Sequence, residues 1–281
     1  MKNEQENSAV ASYYDELDEF YREAWGERLH HGLWLSGRES LGEALDNLEE
    51  LIFNRAEIRP TDRIVDIGSG YGGLARKISQ RFNPESVTGV TNSLRQFQRA
   101  LDSEKQDSSS RCARFIHADW LNSGLPESEY EVAISVECFS HVADKSGFLR
   151  EAARVLRPGA RLVIACWSAP RAAPSWARTL ILEPIQKSGR LNGILSVNEI
   201  EQLLAENGFT EIEALDLSRE AAPTWTKMAL RLTKLALTQR KFAGELLKNP
   251  IRTADLAITT AKLILAFRLG WIGYEIWKAK F

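Results

Sequence analysis

The chain has 281 residues, 44% of them hydrophobic and 26% charged, the make-up of a globular protein with one large domain or two modest ones. A formal net charge of -2 excludes a strongly basic nucleic-acid binder and an acidic disordered chain as readings of the whole. The charge is unevenly placed, with 4 basic and 13 acidic side chains in residues 1–50, 21 and 22 in residues 51–226, and 11 and 3 in residues 227–281.

Taken in chain order, residues from Ala11 to Phe53 follow helical spacing, most clearly at Leu41, Ala44, Leu45, Leu48, Leu51 and Ile52, and predict a helical N-terminal cap over residues 1–56. The opening residues carry no apolar run behind a basic start, so neither a secretory signal nor an Arg-rich transit peptide is expected. Arg63–Ile67 is a short β-rich run ended by glycines. Helical spacing resumes from Leu74 to Phe82 and stops at Asn83-Pro84. Strands are then expected at Ser86–Thr91, Cys112–Ala118, Glu131–Val136 and Arg161–Trp167, with helices at Leu94–Glu104 and Lys145–Leu156, the second closed by Arg157-Pro158-Gly159. Gln106 to Ser110 reads as a polar loop. Strand alternating with helix predicts βαβ units and a parallel sheet covered on both faces.

Beyond Trp167 the rhythm changes. A Pro- and Ala-rich stretch precedes a helix to Lys187, and Ser196 with Glu199 can cap a further helix that ends at Asn207-Gly208. Phe209–Leu217 alternates like a strand, residues 224–269 are expected to be helical in two pieces broken near Asn249-Pro250, and residues 271–281 form a final strand. Leu256–Trp271 is interrupted by Lys262 and Arg268 and falls short of the roughly 20 uninterrupted apolar residues of a membrane span. Cys112, Cys138 and Cys166 are too few for a disulfide framework and lack the close pairing of a zinc or redox motif, so no metal and a reduced, cytoplasmic compartment are expected.

The sharpest motif is Val65-Asp-Ile-Gly-Ser-Gly-Tyr-Gly-Gly73 at the first βα turn, where glycines bring backbone N–H groups close to a ligand at the carboxyl end of a strand. Gly68, Gly70 and Gly73 also spell the dinucleotide G-x-G-x-x-G. Two residues argue against a nicotinamide or flavin. Asp66 stands where such sites keep an apolar residue, and the second strand ends in Thr88-Gly-Val-Thr-Asn-Ser93 without Asp or Glu.

These residues resemble the class I S-adenosylmethionine-dependent methyltransferases. The resemblance implies a Rossmann-like α/β fold, its seven-strand sheet mostly parallel with the last strand antiparallel, over residues 57–281, and S-adenosylmethionine as cofactor. It places Asp66, Gly68, Gly70 and Gly72 at the cofactor's amino-acid end, whose ammonium needs acceptors and whose carboxylate needs N–H donors. Gly89–Gln96 is similar to the variant found in cyclopropane synthases, in which Thr91 and Gln96 approach the ribose in place of an acid. His117-Ala-Asp-Trp120 resembles the adenine-edge motif, with Asp119 accepting from the exocyclic amine and Trp120 packing on the ring, a buried core Trp being the alternative. By the same likeness Tyr14 closes over the cofactor.

A narrower resemblance is to the γ-tocopherol methyltransferase-like family, carried by Ser12-Tyr-Tyr-Asp-Glu, Trp25-Gly, His30-His-Gly-Leu-Trp34, Ser135-Val-Glu-Cys-Phe-Ser-His141, Ile164-Ala-Cys-Trp167, Ala222-Pro-Thr-Trp225 and Gly270-Trp-Ile-Gly-Tyr274. It implies methyl transfer to a carbon, nitrogen or oxygen of a hydrophobic small molecule of the prenylated phenol, terpenoid or alkaloid type. His141, just past the fourth strand, is read as the base or as a loop histidine bonded to backbone, with His30 and His31 as second choices for the base, and Glu137 is read as a cofactor contact, an acceptor ligand or a loop-fixing carboxylate. Trp25, Trp34, Trp167, Trp176, Trp225, Trp271 and Trp277 lie outside the glycine loop and favour a broad apolar acceptor. A cyclopropane-synthase-like lipid-modifying enzyme and a non-catalytic cofactor-fold binder are the alternatives. No nucleic-acid partner is expected, and the basic residues 227–269 are expected either to form a solvated face or to lie on an anionic membrane surface.

Overall fold

The structure, a computed structural model, describes residues 10, 12, 15, 18, 22, 23, 25–106 and 112–281. Tyr14 lies outside them. Helix α1 (Leu41–Ala56) starts at Ser40, whose hydroxyl accepts from Glu43 N–H while the Glu43 carboxylate accepts from Ser40 N–H. The chain continues through β1 (Arg63–Ile67), α2 (Gly73–Phe82), β2 (Ser86–Thr91), α3 (Leu94–Gln106), β3 (Ala113–His117), β4 (Tyr130–Val136), α4 (Lys145–Val155) and β5 (Leu156–Ser168). There follow α5 (Glu183–Gly189), α6 (Val197–Glu206), β6 (Thr210–Asp216), α7 (Pro223–Thr238), α8 (Arg240–Lys248), α9 (Pro250–Leu269) and β7 (Gly273–Lys280).

The seven strands form one sheet in the order β3-β2-β1-β4-β5-β7-β6. Strands β3, β2, β1, β4 and β5 are parallel, and β7 runs antiparallel to both β5 and β6. This is the Rossmann-like sheet expected, with its last strand reversed. Crossovers carry the chain outward from β1 in both directions, so the order reverses between β1 and β4. A crevice opens there, beyond the carboxyl ends of the strands.

Both faces of the sheet are buried. Leu48, Ile52, Phe53, Ile78, Ile64, Ile134 and Val163 belong to one core, and Val65, Ile67, Phe148, Leu149, Ile164, Ile200 and Leu204 to the other. Helix α1 therefore completes the sheet's own core. We propose that only the segment before it forms a cap, which moves the division expected at residues 56/57.

Three other expectations are corrected. Residues 26–40 are not helical, because Gly26 and Gly37 adopt left-handed turns at φ 86° and 77°. Helix α4 stops at Val155 and β5 begins at once, since Leu156 pairs with Tyr130 and Gly159 N–H donates to Phe281 O at 2.5 Å. Residues 223–269 break into three helices, the extra break falling at Gln239, an extended residue whose carbonyl caps Ala243 N–H at 3.0 Å.

Candidate active site

Two adjoining clefts of about 780 and 440 Å³ open at the β1/β4 crevice and share Leu29, Gly68, Gly70 and Val136 on their walls. Gly68 follows β1 at φ 77°, and a Cβ there would lie 2.4 Å from Cys138 Cβ, so only glycine lets the loops after β1 and β4 meet. Gly70, at φ 54°, has nothing within 4 Å of a notional Cβ and faces both clefts. Gly72 lines neither. A Cβ there would strike the Phe115 ring at 2.4 Å, so Gly72 is explained by packing.

The wall beyond β2 is polar. Thr91 hydroxyl donates to Gln96 Oε1 at 2.9 Å, and Gln96 N–H donates to Ser93 Oγ at 3.1 Å, which fixes both candidate ribose residues on the larger cleft. Asp119 and Trp120 line it further along. Asp119 caps a short turn by accepting from Leu121 N–H at 3.0 Å, while Trp120 Nε1–H donates to Phe148 O at 3.1 Å. At 4% exposure Trp120 belongs to the core and the cleft wall together.

Asp66 lies in the smaller cleft, 2% exposed, with a buried Oδ2 that accepts no hydrogen bond. Burial pushes its pKa up to about 7. An orphaned carboxylate oxygen beside a glycine-lined cradle fits a ligand with an ammonium group, and S-adenosylmethionine has that chemistry at one end.

Beyond β4 the wall changes character. Glu137 holds a left-handed φ of 58°, which costs a non-glycine residue about 1–2 kcal/mol and brings its carboxylate under the segment that crosses the site. Its Oε1 accepts from His31 N–H at 2.5 Å and from His31 Nδ1–H at 2.8 Å. Burial alone would raise the Glu137 pKa, yet the His31 ring and N–H outweigh it and hold the carboxylate below its usual range. His31 is 2% exposed, and its ring lies 4.8 Å from that of Tyr274, 5.4 Å from those of Trp167 and Trp225, and 5.7 Å from that of Phe267. Trp25 packs on Trp225 at 5.8 Å. Around this aromatic box two buried polar atoms, His31 Nε2 and Trp225 Nε1, make no hydrogen bond, and the Tyr274 phenol stands against the Glu137 carboxylate.

His141 lines the larger cleft on the far side. Its Nδ1–H donates to Arg190 O at 3.1 Å, and burial lowers its pKa, favouring the neutral ring. Lys145 Nζ donates to Phe139 O and Ser140 O at 2.7 and 3.1 Å and braces the loop that carries Glu137 and His141. Burial lowers the Lys145 pKa to about 8. His30 Nδ1 meets His31 O at 2.8 Å and its Nε2 meets Glu49 at 3.3 Å, which ties the crossing segment to α1.

The structure thus brings Gly68, Gly70, Thr91, Gln96, Asp119, Trp120 and His141 to one cleft and Asp66 to its neighbour. Of the seven tryptophans, Trp25, Trp167 and Trp225 gather round His31. Trp277 is 1% exposed in the core of the opposite face and takes no part. Tyr274 was not singled out from sequence as a site residue. Its place in the Gly270–Tyr274 motif was the available signal.

Residues 65–164 match the family described as "Methyltransferase domain". The chain is 33% identical over 229 residues to 27-O-demethylrifamycin SV methyltransferase of Amycolatopsis mediterranei, covering 80% of this chain and 82% of that protein. It is 27% identical over 285 residues to the chloroplastic tocopherol O-methyltransferase of Arabidopsis thaliana, covering 95% and 80%. Among solved structures, the cyclopropane synthase MmaA2 of Mycobacterium tuberculosis superposes with a TM-score of 0.84 at 19% identity, over 98% of each chain, and shows the shared fold. With the glycine loop, the β1/β4 crevice and these relatives in agreement, the chain belongs to the class I S-adenosylmethionine-dependent methyltransferases, enzymes that take S-adenosylmethionine as cofactor.

Proposed function

We propose that this enzyme methylates a carbon, nitrogen or oxygen of a hydrophobic small molecule of the prenylated phenol or quinol, terpenoid or alkaloid type. The aromatic box at the end of β4 and β5 carries the reading. A buried polar atom without a partner costs about 1–3 kcal/mol, and the two at His31 Nε2 and Trp225 Nε1 in one aromatic enclosure are accounted for by a ligand that supplies their partners. The enclosure offers one acceptor, His31 Nε2, and two donors, Tyr274 O–H and Trp225 N–H. A greasy ring bearing a hydroxyl or amine matches that set. The named activities of the relatives point the same way, one acting on tocopherol and one on a rifamycin.

When bound, S-adenosylmethionine supplies a methyl group already activated by a sulfonium. The chain's own residues therefore bind, orient and exclude water. Asp66 and the Gly68–Gly70 backbone hold the amino-acid end, Thr91 and Gln96 the ribose side, and Asp119 and Trp120 the base. Glu137 accepts from His31 Nδ1–H and so leaves Nε2 as the basic atom, the one that takes the acceptor's proton as its nucleophilicity rises. Burial, then the Glu137 carboxylate, push the Tyr274 phenol well above its ordinary pKa, so it stays a donor. His141 is the competing base, and Glu137→Gln set against His141→Ala separates the two.

An acceptor of this kind partitions into lipid, so the enzyme has to meet it at or near a membrane. The test is a mass-spectrometric screen for gain of one methyl group across quinols, tocopherol-like phenols, sterols, indole alkaloids and small polar amines. The account expects a product among the apolar compounds. Methylation confined to the polar amines contradicts it, and a ring closed across an alkene with no new methyl group supports the cyclopropane-synthase alternative.

A further inference from the structure

Helix α9 departs from the pattern of α2, α3 and α4, each of which gathers its apolar residues on one face. It is apolar around nearly its whole circumference, a composition that belongs in a core or against another apolar phase. One side is indeed packed, through Leu263, Ala266 and Phe267. The other carries Ile251, Ile258 and Leu265 at seven-residue spacing, continued by Leu269, and these are 83%, 55%, 41% and 39% exposed. Helix α7 adds Leu230 and Leu237, and Trp176 joins at the carboxyl end of α9 by packing edge-on to Trp271 at 5.5 Å. Around these apolar side chains stand exposed cations, among them Arg231, Lys234, Arg240, Lys241, Arg252 and Arg268, and residues 227–269 hold 9 basic side chains against 2 acidic.

We infer that α7, α8 and α9 form a docking surface for an anionic lipid bilayer, on which the protein lies without spanning. Charge selects the occupant. A two-fold contact with a second copy would set this cationic segment against itself, whereas an anionic leaflet complements it while Ile251, Ile258, Leu265 and Trp176 enter the boundary between headgroups and acyl chains. Among the described residues no helix is long and apolar enough to cross a membrane, so the contact is peripheral. The opposite side of α9 reaches the aromatic box, Phe267 packing on Trp167 at 6.0 Å and His31 at 5.7 Å. One helix thus stands between the lipid and the proposed acceptor site. That consequence rests on the proposed function; the lipid contact does not.

Sedimentation of the full chain with phosphatidylcholine vesicles, with and without phosphatidylserine, tests the inference, alongside calorimetry with S-adenosylhomocysteine. The expected result is binding to the anionic vesicles alone, reversed by high salt. Ile251→Gln with Ile258→Gln, and separately Arg240→Glu with Lys241→Glu, should each weaken vesicle binding by about tenfold or more while cofactor affinity is unchanged. Equal binding with and without phosphatidylserine, no binding to either, or a dimer abolished by the same substitutions overturns it. Loss of S-adenosylhomocysteine binding in the unaltered chain would instead strike at the methyl-transfer reading, so the two failures are distinct.

Discussion

At the carboxyl ends of β1 and β2 the wall of the site is shaped by Gly68 and Gly70 and by polar side chains that stand close to them in sequence, Asp66, Thr91 and Gln96, whereas beyond β4 and β5 it is made of side chains delivered by separate stretches of chain. The first region can hold a ligand whose polar groups never change. The second, with His31, Glu137, Trp167, Trp225, Phe267 and Tyr274 contributed from six places in the sequence, is where we propose that an acceptor of particular shape is chosen. Separate construction predicts separate failure: changes on one side should leave the other's ligand alone.

The largest effect is expected on the side-chain wall. Glu137→Gln keeps the shape but no longer fixes the His31 ring, and turnover should fall by about a thousandfold, near the middle of the range for general acid–base catalysis, with S-adenosylhomocysteine affinity within about threefold of the original. Rates and calorimetry on the one variant check this, and a matching loss of cofactor affinity would erase the distinction between the two regions. Next comes Gly70→Val. A Cβ there meets nothing within 4 Å, so the cost to folding is the strain of a β-branched residue at φ 54°, about 1–2 kcal/mol, while the branched side chain projects into the clefts and should weaken S-adenosylhomocysteine by about a hundredfold or more. Normal affinity would mean that the cofactor lies elsewhere.

A pH titration sharpens the same side. An ammonium held by Asp66 favours the ionised carboxylate, so cofactor affinity should rise with pH and level off above about 7, falling by about tenfold per unit below it. Asp66→Asn should flatten the profile. The sign for stability is opposite. The folded carboxyl binds its proton more tightly than the unfolded one, so the unliganded protein has this contribution in full below about 4 and loses it as pH rises to about 7. The smallest effect is expected at His141. If His31 is the base, His141→Ala should lower turnover less than about tenfold, and a loss as large as that of Glu137→Gln would transfer the role to His141.

The same division explains what could be read from the chain. Strand, glycine and helix follow one another locally around Asp66–Gly73, so the parallel βαβ units and the glycine-lined cleft were legible from spacing. Gly72 was the exception, its partner Phe115 lying on β3 beyond the reach of local pattern. The His31–Glu137 contact joins residues 106 apart through a backbone conformation that Glu137 does not advertise, and Tyr274 arrives on an antiparallel strand at the far end of the chain. Trp277 shows the converse. It sits three residues from Tyr274, but the two-residue period of β7 turns it to the opposite face.

A structure with S-adenosylhomocysteine and a methylated or methylatable acceptor tests the central claim most directly. The account predicts the acceptor's hydroxyl or amine within hydrogen-bond distance of His31 Nε2 and Tyr274 Oη, its ring among Trp167, Trp225 and Phe267. An acceptor bound against His141, with the box round His31 still closed, would contradict it.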